Sequence, residues 1–261
     1  MKMKVNQDTI RNWSERIRNL GLFNAISLLL NCRRDTLYRL NHDGCRFLLR
    51  GKTIDFNVFN SIFIKGEYDI DPGFCPAYIV DAGAFTGFSA VYLHRRFPRA
   101  TIIAVEPEAT NYNLLEKNTK CFREIQPVRG GLYGEAGNLK ILDRDAEKYA
   151  FQVSESLETG EELHGYTIPL LMKKFDLPEI DLLKMDIEGS EFSVFSNNPE
   201  EWLPRVRMVI AEVHEYLHPG VGDQIMNILQ KSGFTIRWKG ENLVAIRVKE
   251  TQEGLPPLLN L

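Results

Sequence analysis

The sequence predicts an α/β fold with a mostly parallel sheet. From Pro76 onward, short apolar runs alternate with segments of helical periodicity, which is the pattern of repeated βα units. Two of the runs, Ala100–Val105 and Ile180–Met185, are mainly apolar, as expected for buried strands. The last two runs flank the turn residues 239–242 and therefore predict an antiparallel pair near one edge of the sheet.

Length and composition are those of an ordinary soluble protein. The chain has 261 residues, of which 44% are hydrophobic and 26% charged, and its formal net charge is -3. This balance argues against a general nucleic-acid binder or a protein that binds anionic membranes, because both classes are usually basic. The apolar run 22–30 is too short to cross a bilayer, so no membrane span is expected.

The cysteines and the N-terminus favour a cytoplasmic location. The four cysteines are widely spaced and form no C-x-x-C pair, so neither a zinc site nor a disulfide framework is predicted. The first residues lack the charged-then-apolar pattern and the small-residue cleavage site of a signal peptide. We therefore expect a protein of a reducing compartment.

Residues 1–75 predict an N-terminal extension that contains helices and a β-hairpin. Helical periodicity covers residues 10–20, and a second apolar helix is predicted over 22–30. Alternating segments on either side of Asp43-Gly44 predict the hairpin. We expect the helices to pack against the body of the same chain, and a homodimer contact or an active-site lid are the alternatives.

The main domain is predicted over residues 76–249, and a tail is predicted over residues 250–261. A polar loop is predicted over 155–165. The predicted strands are 78–81, 100–105, 125–129, 138–142, 149–153, 180–185, 208–211, 234–238 and 243–248, and the predicted helices are 88–97, 111–120, 170–175 and 225–231.

The stretch from Asp81 to Gly87 lies where the first strand of this domain turns into a helix. A tight turn here needs residues without a Cβ, and the first amides of the helix face the loop. In open α/β sheets such a junction holds nucleotide-like ligands. The spacing is D-x-G-x-x-x-G, whereas dinucleotide-binding sites have G-x-G-x-x-G. An acid two residues before Gly83 suits a ligand with an ammonium group, such as S-adenosylmethionine.

Glu106 ends the second strand of the domain. An acid at this position can accept hydrogen bonds from both ribose hydroxyls of an adenosine. NAD has the same ribose, so Glu106 does not separate the two cofactors, whereas the missing third glycine favours S-adenosylmethionine. The chain contains no G-x-x-x-x-G-K-[ST] sequence, which excludes the usual ATP or GTP loop.

Acidic residues and one histidine follow the later strands. Asp186 and Glu188 border the end of the strand 180–185, while Glu212 and His214 follow the next strand and share one face by period-two alternation. An acid at the end of a core strand is costly without a partner. Our hypothesis is that Asp186 or His214 acts as general base. In the alternatives, Asp186, Glu212 and His214 bind a divalent metal, or His214 is a hydrogen-bonded structural residue.

Four segments together resemble the FkbM-type S-adenosylmethionine-dependent methyltransferases. They are VDAGAFTGFSA from Val80, AVEPEATNYNLLEKN from Ala104, IDLLKMDIEGSEFSVF from Ile180 and VIAEVHE from Val209. The upstream segment 46–68 also resembles the region before the domain in that family. The resemblance implies a class I methyltransferase fold, which is a Rossmann-like, mostly parallel seven-stranded sheet. It also implies O-methylation of a hydroxyl on a sugar, glycan or polyketide-like metabolite.

The resemblance further implies roles for individual residues. Asp81, Gly83 and Gly87 would hold the methionine end of the cofactor, and Glu106 would bind its ribose. Asp186 and Glu188 would border the transferred methyl. The full predicted cofactor-binding set is Asp81, Gly83, Ala84, Gly87, Glu106, Pro107 and Asp186, and the predicted catalytic set is Asp186, Glu188, Glu212 and His214.

Two other classes of function stay open at this stage. One is an NAD-dependent oxidoreductase, and the other is a cofactor-binding module without turnover. The expected partner is a small-molecule or glycan acceptor, with no nucleic acid. No motif identifies the acceptor, whose recognition we assign to residues 1–75 and 143–169.

Overall fold

The structure, a computed structural model, describes residues 20–142, 152–154, 162–217 and 219–247. The predicted helix over residues 10–20 lies outside the described residues except for Leu20, as does the tail 250–261. The described helices are α1 (Leu22–Asn31), α2 (Asp55–Phe63), α3 (Phe88–Arg96), α4 (Ala109–Thr119), α5 (Ile168–Lys174), α6 (Glu191–Ser196), α7 (Pro199–Trp202) and α8 (Val221–Lys231). The described strands are β1 (Leu37–His42), β2 (Cys45–Arg50), β3 (Tyr78–Ala82), β4 (Thr101–Glu106), β5 (Ile125–Arg129), β6 (Gly131–Leu132), β7 (Gly137–Leu142), β8 (Gln152–Ser154), β9 (Glu162–Tyr166), β10 (Ile180–Met185), β11 (Val206–Glu212), β12 (Phe234–Lys239) and β13 (Asn242–Arg247).

The central sheet has seven strands in the order β12-β13-β11-β10-β3-β4-β5. The strands from β11 to β5 are parallel, whereas β13 is antiparallel to both β11 and β12. This confirms the class I methyltransferase fold and its reversed strand near one edge. The strand order changes direction between β3 and β10, which opens a crevice at their carboxyl ends.

Two apolar clusters sandwich the sheet. Alternation along β3 places Val80 in one cluster, with α5 to α8, and Ile79 in the other, with α3 and α4. All six residues of β10 are buried, as expected for a central parallel strand. The sheet is therefore rigid where its strands end at the crevice.

The described part of the N-terminal extension packs on the second of these clusters. The ring of Phe47 in β2 lies 5.3 Å from that of Phe59 in α2 and 5.8 Å from that of Phe88 in α3. The carboxamide of Asn118 in α4 bonds both the amide and the carbonyl of Leu48. Leu28 of α1 is buried in the same cluster, so the helix predicted over 22–30 packs against the body of the same chain as expected. A domain boundary near residue 75 stays a prediction.

A second sheet, with the order β6-β9-β7-β8, follows β5, which is an edge strand of the central sheet. Its strand β9 lies inside the segment predicted as a polar loop, so that prediction is wrong over residues 162–165. The reason is pairing with a distant partner, since Asn138 lies opposite His164 in the β7–β9 ladder.

Two expectations about the chain as a whole can be compared with the structure. Cys32, Cys45, Cys75 and Cys121 are all free. Among the helices that the structure describes, none has the length and apolar character needed to cross a membrane.

Candidate functional site

A cleft lies at the carboxyl ends of β3, β4 and β10, where the crevice of the sheet is expected. Gly83, Glu106, Pro107 and Asp186 line it, and all four belong to the predicted cofactor-binding set. Asp81, Ala84 and Gly87 of the same set are not among the described residues that line the cleft. The other residues around the cleft include Phe85, Asn111, Leu132, Ile187 and Glu188.

Gly83 is required by the close approach of two backbones. Its φ is 74°, and a Cβ on it would lie 1.7 Å from the carbonyl oxygen of Asp186. The amides of Gly83 and Ala84 both donate to the carbonyl oxygen of Val105, at 3.0 and 2.9 Å. The loop is thereby held against the ends of β4 and β10, as the glycine spacing indicates.

Asp81 lies beneath this loop. It is fully buried, accepts a 2.6 Å hydrogen bond from Ser89 Oγ, and has its Oδ1 3.2 Å from Lys184 Nζ. Lys184 donates in turn to the carbonyl oxygen of Gly83 at 2.8 Å. Burial opposes the charge of Lys184, but the carboxylates of Asp81 and Asp186 raise its pKa. The Asp81–Lys184 pair therefore supports the loop from below.

Lys184 is a residue to which the sequence analysis gave no role. The available signal was a lysine inside an otherwise apolar strand, since a buried charge needs a partner. Its partner could not be named from the sequence, because Lys184 lies opposite Asp81 only through the register of β10 and β3.

Glu106 presents a buried carboxylate to the cleft. Its Oε2 accepts from the Phe85 amide at 2.9 Å, and its Oε1 accepts from the Glu108 amide at 3.0 Å and from Asn111 Nδ2 at 3.2 Å. Burial raises the pKa of Glu106 to about 7, although these hydrogen bonds oppose the rise. A carboxylate has about four acceptor positions, so three donors leave capacity for a ligand hydroxyl.

The N-terminal extension contacts this part of the cleft. Arg50, at the end of β2, donates to the Asp55 carboxylate at 2.8 Å and to Asn111 Oδ1 at 2.8 Å. Its guanidinium also lies 5.4 Å from the ring centre of Phe85. Arg50 therefore links α2, α4 and the glycine loop, and the sequence analysis did not identify it.

The four residues of the predicted catalytic set come together beside the cleft, and two of them, Asp186 and Glu188, line it. His214 Nε2 lies 3.3 Å from Glu188 Oε2, 3.8 Å from Asp186 Oδ1 and 4.0 Å from Glu212 Oε1. The His214 side chain is 6% exposed, so water screens these contacts little. We call Asp186, Glu188, Glu212 and His214 the strand-end cluster.

Glu191 orients the imidazole of His214. This glutamate is 1% exposed, and its Oε1 lies 2.9 Å from His214 Nδ1 and accepts from the Ile187 amide at 3.2 Å. Contact with the carboxylate places the proton on Nδ1 and directs Nε2 at the strand-end cluster. The contact between Glu191 and His214 joins residues 23 positions apart, so no local sequence pattern could reveal it.

Three residues of the strand-end cluster, His214, Glu188 and Glu212, have raised pKa values. Burial opposes protonation of His214, but Glu191, Glu188 and Asp186 raise its pKa to about 9. Burial, followed by the Asp186 charge, raises the pKa of Glu212 to about 7 and also raises the pKa of Glu188. At neutral pH the cluster therefore combines an imidazolium with a carboxyl group that is near its midpoint.

The cluster also has the ligand types of a divalent metal site. One atom from each of Asp186, Glu188 and His214 lies within 4.8 Å of the others. The alternative from the sequence used Glu212 in place of Glu188. Two carboxylates and an imidazole are compatible with several first-row metals, so the donor set alone does not select one.

Comparison with known proteins gives the family. The model of the methyltransferase FkbM domain matches residues 81–236, which is more than half of the chain. The chain belongs to the FkbM methyltransferase family. The resemblance identified from the four sequence segments is thereby confirmed.

Relatives of this FkbM-family methyltransferase occur in fungi and bacteria. Methyltransferase sdnD of Sordaria araneosa is 28% identical over 213 residues, which cover 69% of this chain and 82% of the relative. The 31-O-demethyl-FK506 methyltransferase FkbM of Streptomyces tacrolimicus is 24% identical and covers 77% and 86%, respectively. A solved structure, methyltransferase FkbM from Methylobacillus flagellatus KT, is 15% identical with a TM-score of 0.46, over 72% of this chain and 47% of that chain.

S-adenosylmethionine is the cofactor of this FkbM-family methyltransferase, and the chemistry of the cleft is compatible with it. Glu106 keeps acceptor capacity for a ligand hydroxyl beside the glycine loop. Asp186 and Glu188, which line the same cleft, supply negative charge, which favours a sulfonium ion. The fit therefore rests on the acceptor capacity and the charge of residues that line one cleft.

Proposed function

We propose that this methyltransferase transfers the methyl group to a hydroxyl oxygen of a sugar, glycan or polyketide-like metabolite. The observation that carries this proposal is the strand-end cluster, which places the Glu212 carboxylate, whose pKa is raised, in a cavity that shares Asp186 with the cofactor cleft. A hydroxyl oxygen is a weak nucleophile until its proton is removed, whereas a neutral amine can attack the methyl group directly with its lone pair. O-methylation therefore gains from a nearby base. The cluster supplies that base.

Positioning is the larger contribution of the protein. The cofactor supplies an activated methyl on a sulfonium. The chain aligns the acceptor oxygen with it, and such alignment can contribute roughly 7–11 kcal/mol. A positioned base adds about 10²–10⁴-fold. Asp186 lines both the cofactor cleft and a neighbouring cavity, so it lies between the cofactor and any acceptor bound in that cavity.

Glu212 is the base that the electrostatics favour. When the acceptor oxygen is methylated, its proton would pass to the Glu212 carboxylate, and the methyl group would come from the sulfonium of bound S-adenosylmethionine. A base works best when its pKa is near the working pH, and the pKa of Glu212 is about 7. His214 has a pKa of about 9 and is protonated at neutral pH, so it stabilises the neighbouring carboxylates rather than accepting the proton.

The predicted roles of the other cluster residues follow from this assignment. Asp186 lies 3.8 Å from His214 Nε2 and 3.9 Å from Lys184 Nζ, so two cations hold it at the cleft. Glu188 sits on a turn with a φ of 52°, followed by Gly189 with a φ of 95°, which directs its carboxylate at His214. Both residues therefore border the methyl group in the proposed arrangement.

Two measurements test the proposal. Incubation with labelled S-adenosylmethionine and fractionated metabolites and glycans, followed by mass spectrometry, should yield an O-methylated product. A protein that binds the cofactor but labels no hydroxylated acceptor pool would instead be a cofactor-binding module. Transfer of the label to nitrogen or carbon only would also reject O-methylation.

A variant then tests the base. With the acceptor identified, Glu212→Gln should lower kcat by about 10²–10⁴-fold while the Kd for S-adenosylmethionine stays unchanged. In the wild type, kcat/KM should rise with pH through an apparent pKa near 7, and the variant should lose this rise. The exposed Glu200 on α7 gives the control Glu200→Gln, which should change neither value. Near wild-type turnover of Glu212→Gln would show that another group takes the proton.

A further inference from the structure

A second cavity lies beside the cofactor cleft. We call it the α2 groove, because α2 forms one wall and the β12–β13 turn, Lys239 to Asn242, forms the other. Its volume is about 640 Å³, within the range of small-molecule sites. Ile54, Val58 and Asp186 line both the groove and the cofactor cleft, and Glu212 lines the groove. A molecule in the groove therefore lies next to both the cofactor and the proposed base.

Two largely buried polar side chains, Tyr68 and Asn242, line this groove. Each of them is 3% exposed. A phenol hydroxyl and a carboxamide at a cavity wall can both donate hydrogen bonds to the hydroxyls of a ligand and accept hydrogen bonds from them. Asn242 is also the cross-strand neighbour of Glu212, which places both residues at the same side of the groove.

The other groove residues disfavour an anionic ligand. Glu67, Glu241, Asp186 and Glu212 outnumber the two lysines, Lys65 and Lys239. Lys239 is already engaged, because its Nζ donates to the carbonyl oxygens of Gly66 and Asp69. A carboxylated or phosphorylated molecule would therefore meet net negative charge.

The α2 wall of the groove is itself partly polar. Asn57 and Ser61 are one helical turn apart and both line the groove, beside the apolar Val58 and Ile62. Neutral hydrogen-bonding groups that alternate with small apolar surfaces suit a molecule with several hydroxyls on a carbon skeleton. They suit a long apolar chain less well, because it offers no hydrogen-bonding groups to Tyr68 and Asn242.

We propose that the α2 groove is the acceptor site and that its ligand is an uncharged polyol or saccharide. Tyr68 and Asn242 hydrogen-bond the hydroxyls that flank the methylated one, while Glu212 faces the hydroxyl that reacts. This inference rests on the proposed O-methylation and narrows its acceptor to one chemical class. It also assigns binding roles to two residues outside the predicted catalytic set.

A panel of acceptors tests the chemical class. The probes are myo-inositol and the methyl glycosides of glucose, galactose and rhamnose, compared with glucuronate, glucose 6-phosphate and 2-decanol. Labelled methyl should pass to at least one neutral polyol and to none of the acidic or single-hydroxyl probes. Preference for an acidic probe or for 2-decanol would overturn the proposal, and so would the absence of transfer to every neutral polyol. In that last case, labelling of the fractionated metabolites separately decides whether O-methylation itself is correct.

Two variants test the named residues with whichever acceptor the protein uses. Tyr68→Phe and Asn242→Leu should each lower kcat/KM for the acceptor roughly tenfold, with the Kd for S-adenosylmethionine unchanged. Tyr112→Phe is the matched control, because it removes a phenol oxygen that bonds Glu116 on the exposed face of α4. If Asn242→Leu fails to fold, the kcat/KM of Tyr68→Phe alone tests the proposed acceptor site. An unchanged kcat/KM in Tyr68→Phe would remove the proposed acceptor site while leaving methyl transfer in place.

Discussion

Replacing His214 with glutamine should change how the stability of the protein depends on pH. The carboxylates around the imidazole raise its pKa from 6.5 to about 9 in the folded state. A histidine whose pKa is higher in the folded than in the unfolded state stabilises the folded state when it is protonated. This stabilisation is complete below the unfolded pKa of 6.5 and is lost as the pH rises through the folded pKa of about 9. At 1.36 kcal/mol per pH unit, the full stabilisation is about 3 kcal/mol, of which about 2 kcal/mol is lost between pH 7 and 9.

The assay is urea unfolding at a series of pH values, followed by tryptophan fluorescence and circular dichroism. Glu106 and Glu212 also have raised pKa values, both about 7, so their effect falls mainly between pH 4.5 and 7. The difference in unfolding free energy between wild type and His214→Gln should therefore shrink by about 2 kcal/mol from pH 7 to 9.

His42 offers a control for this experiment. Burial lowers the pKa of His42, so both its folded and unfolded forms are neutral above pH 7. The difference between wild type and His42→Gln should therefore stay constant from pH 7 to 9. A constant difference for His214→Gln as well would refute the assigned protonation of His214, and with it the argument that a carboxylate is the base.

Two further predictions concern the cofactor cleft. Glu106→Gln should raise the Kd for S-adenosylmethionine roughly 10- to 100-fold in calorimetry, because a charged acceptor of the ribose hydroxyls is lost. The control Glu116→Gln, on the exposed face of α4, should leave this Kd unchanged. A Kd for Glu106→Gln equal to that of the wild type would exclude Glu106 from the ribose site. Gly83→Ala should abolish cofactor binding and lower the Tm, because its Cβ would overlap the backbone of Asp186 just after β10. Gly73 has a φ of 72° and no atom within 4 Å of an added Cβ, so Gly73→Ala should cost only about 1–2 kcal/mol of backbone strain and keep cofactor binding. Similar Tm losses in both glycine variants would show that φ, and not the close approach, requires Gly83.

The elements of the central sheet could be predicted because their signals are local. Ile180–Met185 is a mainly apolar run that ends before Asp186, and the observed β10 has the same limits. Gly83 and Gly87 were expected in a tight turn that needs residues without a Cβ, and both have positive φ values, 74° and 87°. The strand β9 was missed because its pairing with β7 depends on a segment more than 20 residues away, and its own sequence is polar.

The sequence alone determined the family, the cofactor and the end of the sheet where the acids gather. These follow from local spacing, and the carboxyl ends of parallel strands necessarily meet at one edge. Only the tertiary structure decided which side chains contact each other there. Lys184 pairs with Asp81 through strand register, and Glu191 orients His214 across a turn and a strand end. Tyr68 and Asn242 meet at the α2 groove because the N-terminal segment packs beside the last hairpin, which no local pattern specifies.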